Sequence, residues 1–414
     1  MSLLPIQLKH LAGISQLLPK NNPGGPPLQR DEASGLHWFN LYKSSTPAQN
    51  SMLPILVDLN GNHLWLNCEQ QHLTKLYQAP FCHSTQCIRA NTHQCLSCPA
   101  DRPGCHRNAC GLLSTNPITQ QTGLGELGQD FLGVYLAQGS QLGPILVIPN
   151  FLFSCAPSFL LQKGLPKGTQ GVAGFGHGPI SLPNQVASHY GLEHQFTMCL
   201  GRHSTSQGSV IFGDTAIYMP RIHKQDIFHE VAVTPLTITA QGEYNVRVNS
   251  IKVNQHTFSL PTQPEDSGAA GGTMISTAAP HMVLQHSIFE AFTKMFAQQM
   301  PKQAQVKPVA PFGLCFNSNM VSKFPNVDLV MDRPNGPVWR ISGEELVAHV
   351  RPGLTCLAVV NGGMQTRAPV TIGARQLEER VVVFDLARST LRFSTSTLGS
   401  RGLKCGDLVN FVHY

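Results

Sequence analysis

Short runs of apolar and β-branched residues recur along the chain, among them LPILVDL (53–59), FLFSC (151–155), GSVIFG (208–213), YNVRVNSIKV (244–253) and RVVVFDL (380–386). Turn formers separate them, with 37 Gly and 30 Pro in the chain. Runs this short, bounded by turn signals, predict strands, and their spread over the whole length predicts an all-β fold with few short helices. One segment breaks the pattern. From His281 to Met300, the residues Met282, Val283, Ile288, Phe289, Phe292, Met295 and Phe296 fall near helical spacing behind Pro280, which predicts a helix packed on the core.

The same punctuation divides the chain. Residues 19–30, PKNNPGGPPLQR, are too rich in Pro and Gly to pack, so 1–36 reads as a flexible leader, with order expected from His37. A first β lobe, 37–214, contains a Cys-rich insert and closes on GSVIFGD (208–214). A second, 215–414, ends on VTIGARQLEERVVVFDLARSTLRFS (370–394). The polar, Gly-rich stretch QPEDSGAAGG (263–272) reads as a mobile loop open to proteolytic nicking.

Composition agrees with two globular lobes: 414 residues, 42% hydrophobic and 13% charged, suffice for large cores. The formal charge of +6 favours acidic partners but is not gathered into runs, which speaks against nucleic-acid binding. No stretch approaches the roughly 18 consecutive apolar residues of a membrane span. Twelve cysteines form an even set, and seven crowd one stretch: Cys68, Cys82, Cys87, Cys95, Cys98, Cys105 and Cys110. Cys95-Leu-Ser-Cys98 with His93 and His106 allows a zinc knuckle, but the irregular gaps favour disulfides. Disulfides imply an oxidising compartment and hence secretion, vacuole or cell wall, although no leader with a continuous apolar segment is evident at the N-terminus. No N-glycosylation sequon occurs. Eighteen His permit weak divalent-metal binding, but no specific metal site and no cofactor is expected.

The chemistry concentrates in LVDLNGNHLW (56–65) and GGTMISTAAPHMVL (271–284), which look like the two halves of an aspartic-peptidase centre. That chemistry needs two carboxylates about 3 Å apart that share a proton, one serving as base and the other as acid. The first loop supplies Asp58; the second offers Ser276. Leu59 and Asn60 stand where Thr-Gly is usual, and no Tyr lies between Arg89 and Gly133, where the substrate-covering hairpin ought to carry one. Asp58 and Ser276 are therefore degenerate dyad positions, and peptidase activity is not expected.

These motifs, with QGVAGFGHGPISLPNQ (170–185), FLFSCAP, GSVIFGD and the twelve-cysteine layout, resemble a plant group within the pepsin fold. The group comprises basic 7S globulins, gamma-conglutins, extracellular dermal glycoproteins and xylanase inhibitors. The resemblance implies a bilobal pepsin-like fold with six disulfides and no peptidase activity. It pairs Cys315 with Cys356 in the second lobe and Cys199 with Cys405 between lobes. The other eight, Cys155 among them, bridge within the first lobe, Cys68 to Cys155 being the long link. It further implies a secreted apoplast or cell-wall inhibitor of microbial glycoside hydrolases, a family-12 endoglucanase ahead of a family-11 xylanase. On this view Arg401 in LGSRGLKC, and Lys323 in FNSNMVSKFPNVD, engage the hydrolase carboxylates. The alternative is a seed or cell-wall globulin that stores nitrogen or binds a cysteine-rich peptide hormone.

Overall fold

The computed structural model describes residues 24–42, 52–69, 73–138, 141–213, 231–260 and 272–406. Two compact units divide the chain: unit 1 takes it to Asp226 and again from Lys404, and unit 2 is Ile227–Leu403. The C-terminal segment thus belongs with the first unit rather than with the 215–414 lobe expected from the sequence.

Unit 1 contains strands β1 (Gly24–Arg30), β2 (His37–Tyr42), β3 (Met52–Asp58), β4 (Leu64–Leu66), β5 (Cys95–Leu96), β6 (Ala109–Thr115), β7 (Thr122–Gln138), β8 (Gln141–Cys155), β9 (Gly171–Gly174), β10 (Gln195–Cys199) and β11 (Gly208–Phe212). Their order is β10-β11-β1-β2-β3-β9-β4-β8-β7-β6-β5, and a β2–β7 pairing closes six of them into a ring. Inside this ring β3 and β9 run parallel, as do β4 and β8, while β4 and β9 are antiparallel. A strand enclosed on both faces needs apolar residues at consecutive positions, and Ile55, Leu56 and Val57 of β3 are all fully buried.

The leader ends earlier than its composition suggests. Gly24–Arg30 is a strand paired to β11 and β2, with Leu28 fully buried. The register shifts between Gly24 and Pro27, an irregularity at which proline can sit in a ladder despite its missing donor. Residues 1–23 lie outside the described residues.

Unit 2 contains β12 (Val231–Pro235), β13 (Thr237–Ile238), β14 (Tyr244–Val253), β15 (His256–Ser259), β16 (Gly272–Ile275), β17 (Met282–Leu284), β18 (Gln305–Val306), β19 (Cys315–Asn317), β20 (Val327–Met331), β21 (Val338–Ile341), β22 (Val347–Arg351), β23 (Leu354–Leu357), β24 (Val359–Asn361), β25 (Val370–Ile372), β26 (Val382–Asp385) and β27 (Thr390–Ser394). One sheet runs β21-β20-β14-β16-β25-β17-β24 and another β18-β19-β23-β22. β12, β27 and β26 form an antiparallel set. The expected helix is shorter than 281–300: it spans His286–Gln298, and Met282–Leu284 is a strand. Met282 and Leu284 are buried while Val283 between them is less so, a period-two burial that the sheet rewards and the helical spacing had masked. The loop expected at 263–272, Gly272 aside, lies outside the described residues.

All twelve cysteines are paired. Cys68–Cys155, Cys199–Cys405 and Cys315–Cys356 form as the resemblance implied. Cys82–Cys95, Cys87–Cys110 and Cys98–Cys105 complete the first unit. Because Cys95 and Cys98 are consumed in separate bridges, the zinc-knuckle alternative has no thiolates left. Cys405 clusters with unit 1, so its bridge to Cys199 at the end of β10 lies within that unit rather than between lobes.

Candidate functional site

The same strand arrangement occurs once in each unit. In unit 1, β3 lies parallel to β9, and β4 is antiparallel to β9 and parallel to β8. In unit 2, β16 lies parallel to β25, and β17 is antiparallel to β25 and parallel to β24. In the first copy Asp58 is in register with Gly174. In the second Ile275 is in register with Ile372, so the next residues, Ser276 and Gly373, take the corresponding places. Topology therefore gives Ser276 the position that Asp58 holds in unit 1.

Each position is set by a glycine that must approach closely. A Cβ on Gly174 would lie 2.3 Å from the Gly61 carbonyl oxygen, and one on Gly373 would lie 2.3 Å from that of His281. No side chain fits either gap, so the strand end presses directly on the loop that follows the Asp58 or Ser276 turn. The Asp58 carbonyl accepts from the Phe175 amide at 2.8 Å, and its Oδ1 accepts from the Asn60 amide at 3.0 Å. Asp58 is only 6% exposed, and the neighbouring Leu59 is fully buried, filling with hydrocarbon the place where a hydroxyl is usual.

Ser276 is 4% exposed, and its Oγ accepts from the amides of Ala278 and Ala279, both at 3.2 Å. The hydroxyl thus closes a turn through its own backbone. A neutral acceptor in that role cannot hold the second negative charge or exchange the shared proton that an aspartic dyad needs.

The hairpin of β6 and β7 is fastened to unit 1. Its turn begins at Asn116, which is 1% exposed and donates through Nδ2 to the carbonyls of Leu160 (2.8 Å) and Lys163 (2.9 Å). The same side chain accepts through Oδ1 from the amides of Ile118 and Thr119. Ile118 then packs beside the cluster of Leu36, Leu56, Trp65, Leu160 and Val172, and Trp65 Nε1 donates to the Thr115 carbonyl at 3.1 Å. Below the turn, Ser114 Oγ donates to Ser154 Oγ at 2.9 Å and lies 3.1 Å from His63 Nε2. With its proton committed to Ser154, Ser114 Oγ accepts a hydrogen bond from His63 Nε2–H, so His63 does not serve as its base and Ser114 is not activated as a nucleophile. Burial pushes the His63 imidazole down to about 4, which keeps it neutral.

A second polar centre escaped the sequence reading. Glu126 is fully buried and accepts from the amides of Gly104 (2.9 Å) and His106 (2.7 Å), from Tyr77 Oη (2.5 Å) and from His106 Nδ1 (3.0 Å). Burial and the adjacent carboxylate push the Tyr77 phenol far up, so it stays a donor. The four donors come from segments up to 49 residues away, and nothing local in GELGQD announces them. The signal present was a lone Glu inside a strand-like run.

Lys323 is exposed in the loop that precedes β20. Arg401 ends the 3₁₀ turn Leu398–Arg401, before Gly402 in the left-handed region. Both belong to unit 2.

Two family models match the chain, Xylanase inhibitor N-terminal over residues 42–214 and Xylanase inhibitor C-terminal over 243–395. A soybean (Glycine max) relative, Basic 7S globulin 2, is 67% identical over 392 residues, covering 94% of this chain and 90% of the relative. The chain belongs to the basic 7S globulin family. The crystal structure of soybean basic 7S globulin matches 94% of the chain with a TM-score of 0.84 and 66% identity, covering 99% of that structure. The crystal structure described as edgp also gives a TM-score of 0.84, at 32% identity over 94% of this chain and 99% of its own. The pepsin-like fold of the basic 7S globulin family is therefore present throughout the matched chain, while identity falls by half between these two structural relatives.

Proposed function

We propose that this protein is a catalytically silent aspartic-peptidase homologue that works by binding, and that it blocks microbial glycoside hydrolases of the endoglucanase or xyloglucanase type in plant defence. The observation that carries the reading is Ser276: the position matching Asp58 holds a hydroxyl already committed to two backbone amides. With the second catalytic Asp lost, one carboxylate cannot serve as both acid and base. The xylanase-inhibitor descriptions of both matching models support inhibition as the remaining task.

The target's chemistry suits a cationic inhibitor. A retaining glycosidase holds two carboxyl groups about 5 Å apart in an open cleft, a spacing that an Arg fork engages through charge-assisted bonds. Arg401 is the proposed anchor and Lys323 its weaker companion, with a family-12 endoglucanase ahead of a family-11 xylanase. Secretion to the apoplast or cell wall fits both the six bridges and the target. Inhibition of a family-12 xyloglucan-specific endoglucanase, titrated with wild type and with Arg401→Ala, tests this. Expected is a loss of about 2–4 kcal/mol in the variant, as for truncation of an interface hot spot. Equal inhibition by both proteins would remove Arg401 from the contact, and no inhibition by wild type would remove the function.

A second reading rests on the 67% identity to a basic 7S globulin: a seed or cell-wall globulin that stores nitrogen or binds a cysteine-rich peptide. Absence of binding to both hydrolase families would favour it.

A further inference from the structure

Carboxylates are missing from two stretches of unit 2. Residues 291–327 carry four Lys and no Asp or Glu, and residues 346–377 carry three Arg and again none. The fold joins them. β18 and β19 come from the first stretch, β22 and β23 from the second, and together they are the whole of the β18-β19-β23-β22 sheet. Their connections converge as well: the 3₁₀ turn Lys302–Ala304 touches the 3₁₀ turn Ser318–Met320. The Ser318 amide in turn donates to the Gly353 carbonyl, between β22 and β23, at 3.1 Å.

Two of the arginines are engaged elsewhere, Arg367 with Glu243 and Arg375 with the carbonyls of Glu345 and Val347. Lys302, Lys307, Lys323 and Arg351 are exposed, and none makes an ion pair among the described residues. Apolar side chains stand among them. Val306, Val309, Met320 and Val350 are 37–49% exposed, so water meets hydrocarbon and unneutralised charge on one small sheet and its loops. Exposed apolar area rimmed by polar groups marks contact surfaces.

We propose that this face docks an acidic polypeptide segment carrying aliphatic side chains. Charge complementarity selects the sign of the partner, and the aliphatic residues select its class. A polyanionic sugar chain would pair with the lysines but leave Met320 and Val350 unmatched, and neither stretch exposes a Phe, Tyr or Trp ring on which a sugar could stack. The contact is made by side chains rather than by strand addition. The β22 edge carries a register shift between His349 and Arg351 and is followed by Pro352, both of which blunt an edge against pairing. This inference uses neither Arg401 nor the degenerate dyad.

The test is fluorescence anisotropy with a labelled peptide of repeated Glu-Glu-Leu units, titrated at several salt concentrations. Wild type binds it, more weakly as salt rises, and the Lys302→Glu/Lys307→Glu/Arg351→Glu variant loses about tenfold in affinity. A unit 1 variant with the same charge change at exposed positions, Lys75→Glu/Arg89→Glu/Arg102→Glu, retains binding. Equal losses in the two variants would reduce the effect to net charge and overturn the assignment. So would failure of wild type to bind the peptide, or capture of polygalacturonate, but not of the peptide, through the three substituted residues. Lys323 and Arg401 stay intact throughout, so hydrolase inhibition measured on the same proteins reports on the inhibitor reading separately.

Discussion

At the residue scale, Ser276 at the position matching Asp58 was legible because each half of the motif is contiguous in sequence. Glu126 was not legible, because a carboxylate satisfied by long-range donors looks locally like any strand residue. His37 illustrates the same limit. It opens β2 as an ordinary polar residue, yet it is fully buried with Nε2 2.9 Å from the Gly201 carbonyl, and burial pushes its imidazole down to about 4. The unfolded chain then binds a proton below the ordinary His value near 6.5, while the folded chain does not until about 4. This contribution is therefore absent above pH 6.5 and destabilises progressively as pH falls toward 4, by about 1.4 kcal/mol per pH unit. Urea unfolding across that window should show a shallower pH slope for His37→Gln than for wild type. An unchanged slope would mean that His37 titrates normally in the folded protein.

At the scale of elements, the helix and the leader show why local pattern fails at boundaries. Met282, Val283 and Leu284 satisfy a helical stripe and a strand alternation equally well, and the neighbouring strands β24 and β25 decide between them. The Pro- and Gly-rich Gly24–Arg30 becomes a strand because β11, far along the chain, offers it partners. The β6–β7 hairpin is a second case. Its missing Tyr could be read from the sequence, but the Asn116 clamp that bolts its turn to residues 160–163 could not. Asn116→Ala removes two buried bonds to carbonyls and two to amides, and should cost about 2 kcal/mol or more. Hydrogen exchange should then speed up at 117–124 with little change in unit 2. Unaltered protection there would show that Ile118 packing alone holds the hairpin.

For the whole molecule, the all-β class follows from the strand-like runs and the disulfides from the even cysteine count, and family resemblance supplied three of the six pairings; Cys82–Cys95, Cys87–Cys110, Cys98–Cys105 and the placement of the C-terminal segment needed the fold. Cys199–Cys405 spans 206 residues and Cys98–Cys105 spans 7. If disulfides act mainly on the unfolded chain, removing the first by paired Cys→Ser substitution should cost about 5 kcal/mol and removing the second about 2. Chemical denaturation of the two variants checks the ranking, and a reversed order would place the stabilisation in native contacts instead. All of this stability serves a scaffold that, on the function proposed above, works by binding because Ser276 occupies the position matching Asp58. Digestion of haemoglobin at acidic pH, followed with and without pepstatin, tests that claim most directly. Expected is no cleavage above a protein-free control; pepstatin-sensitive cleavage by the purified chain would contradict it.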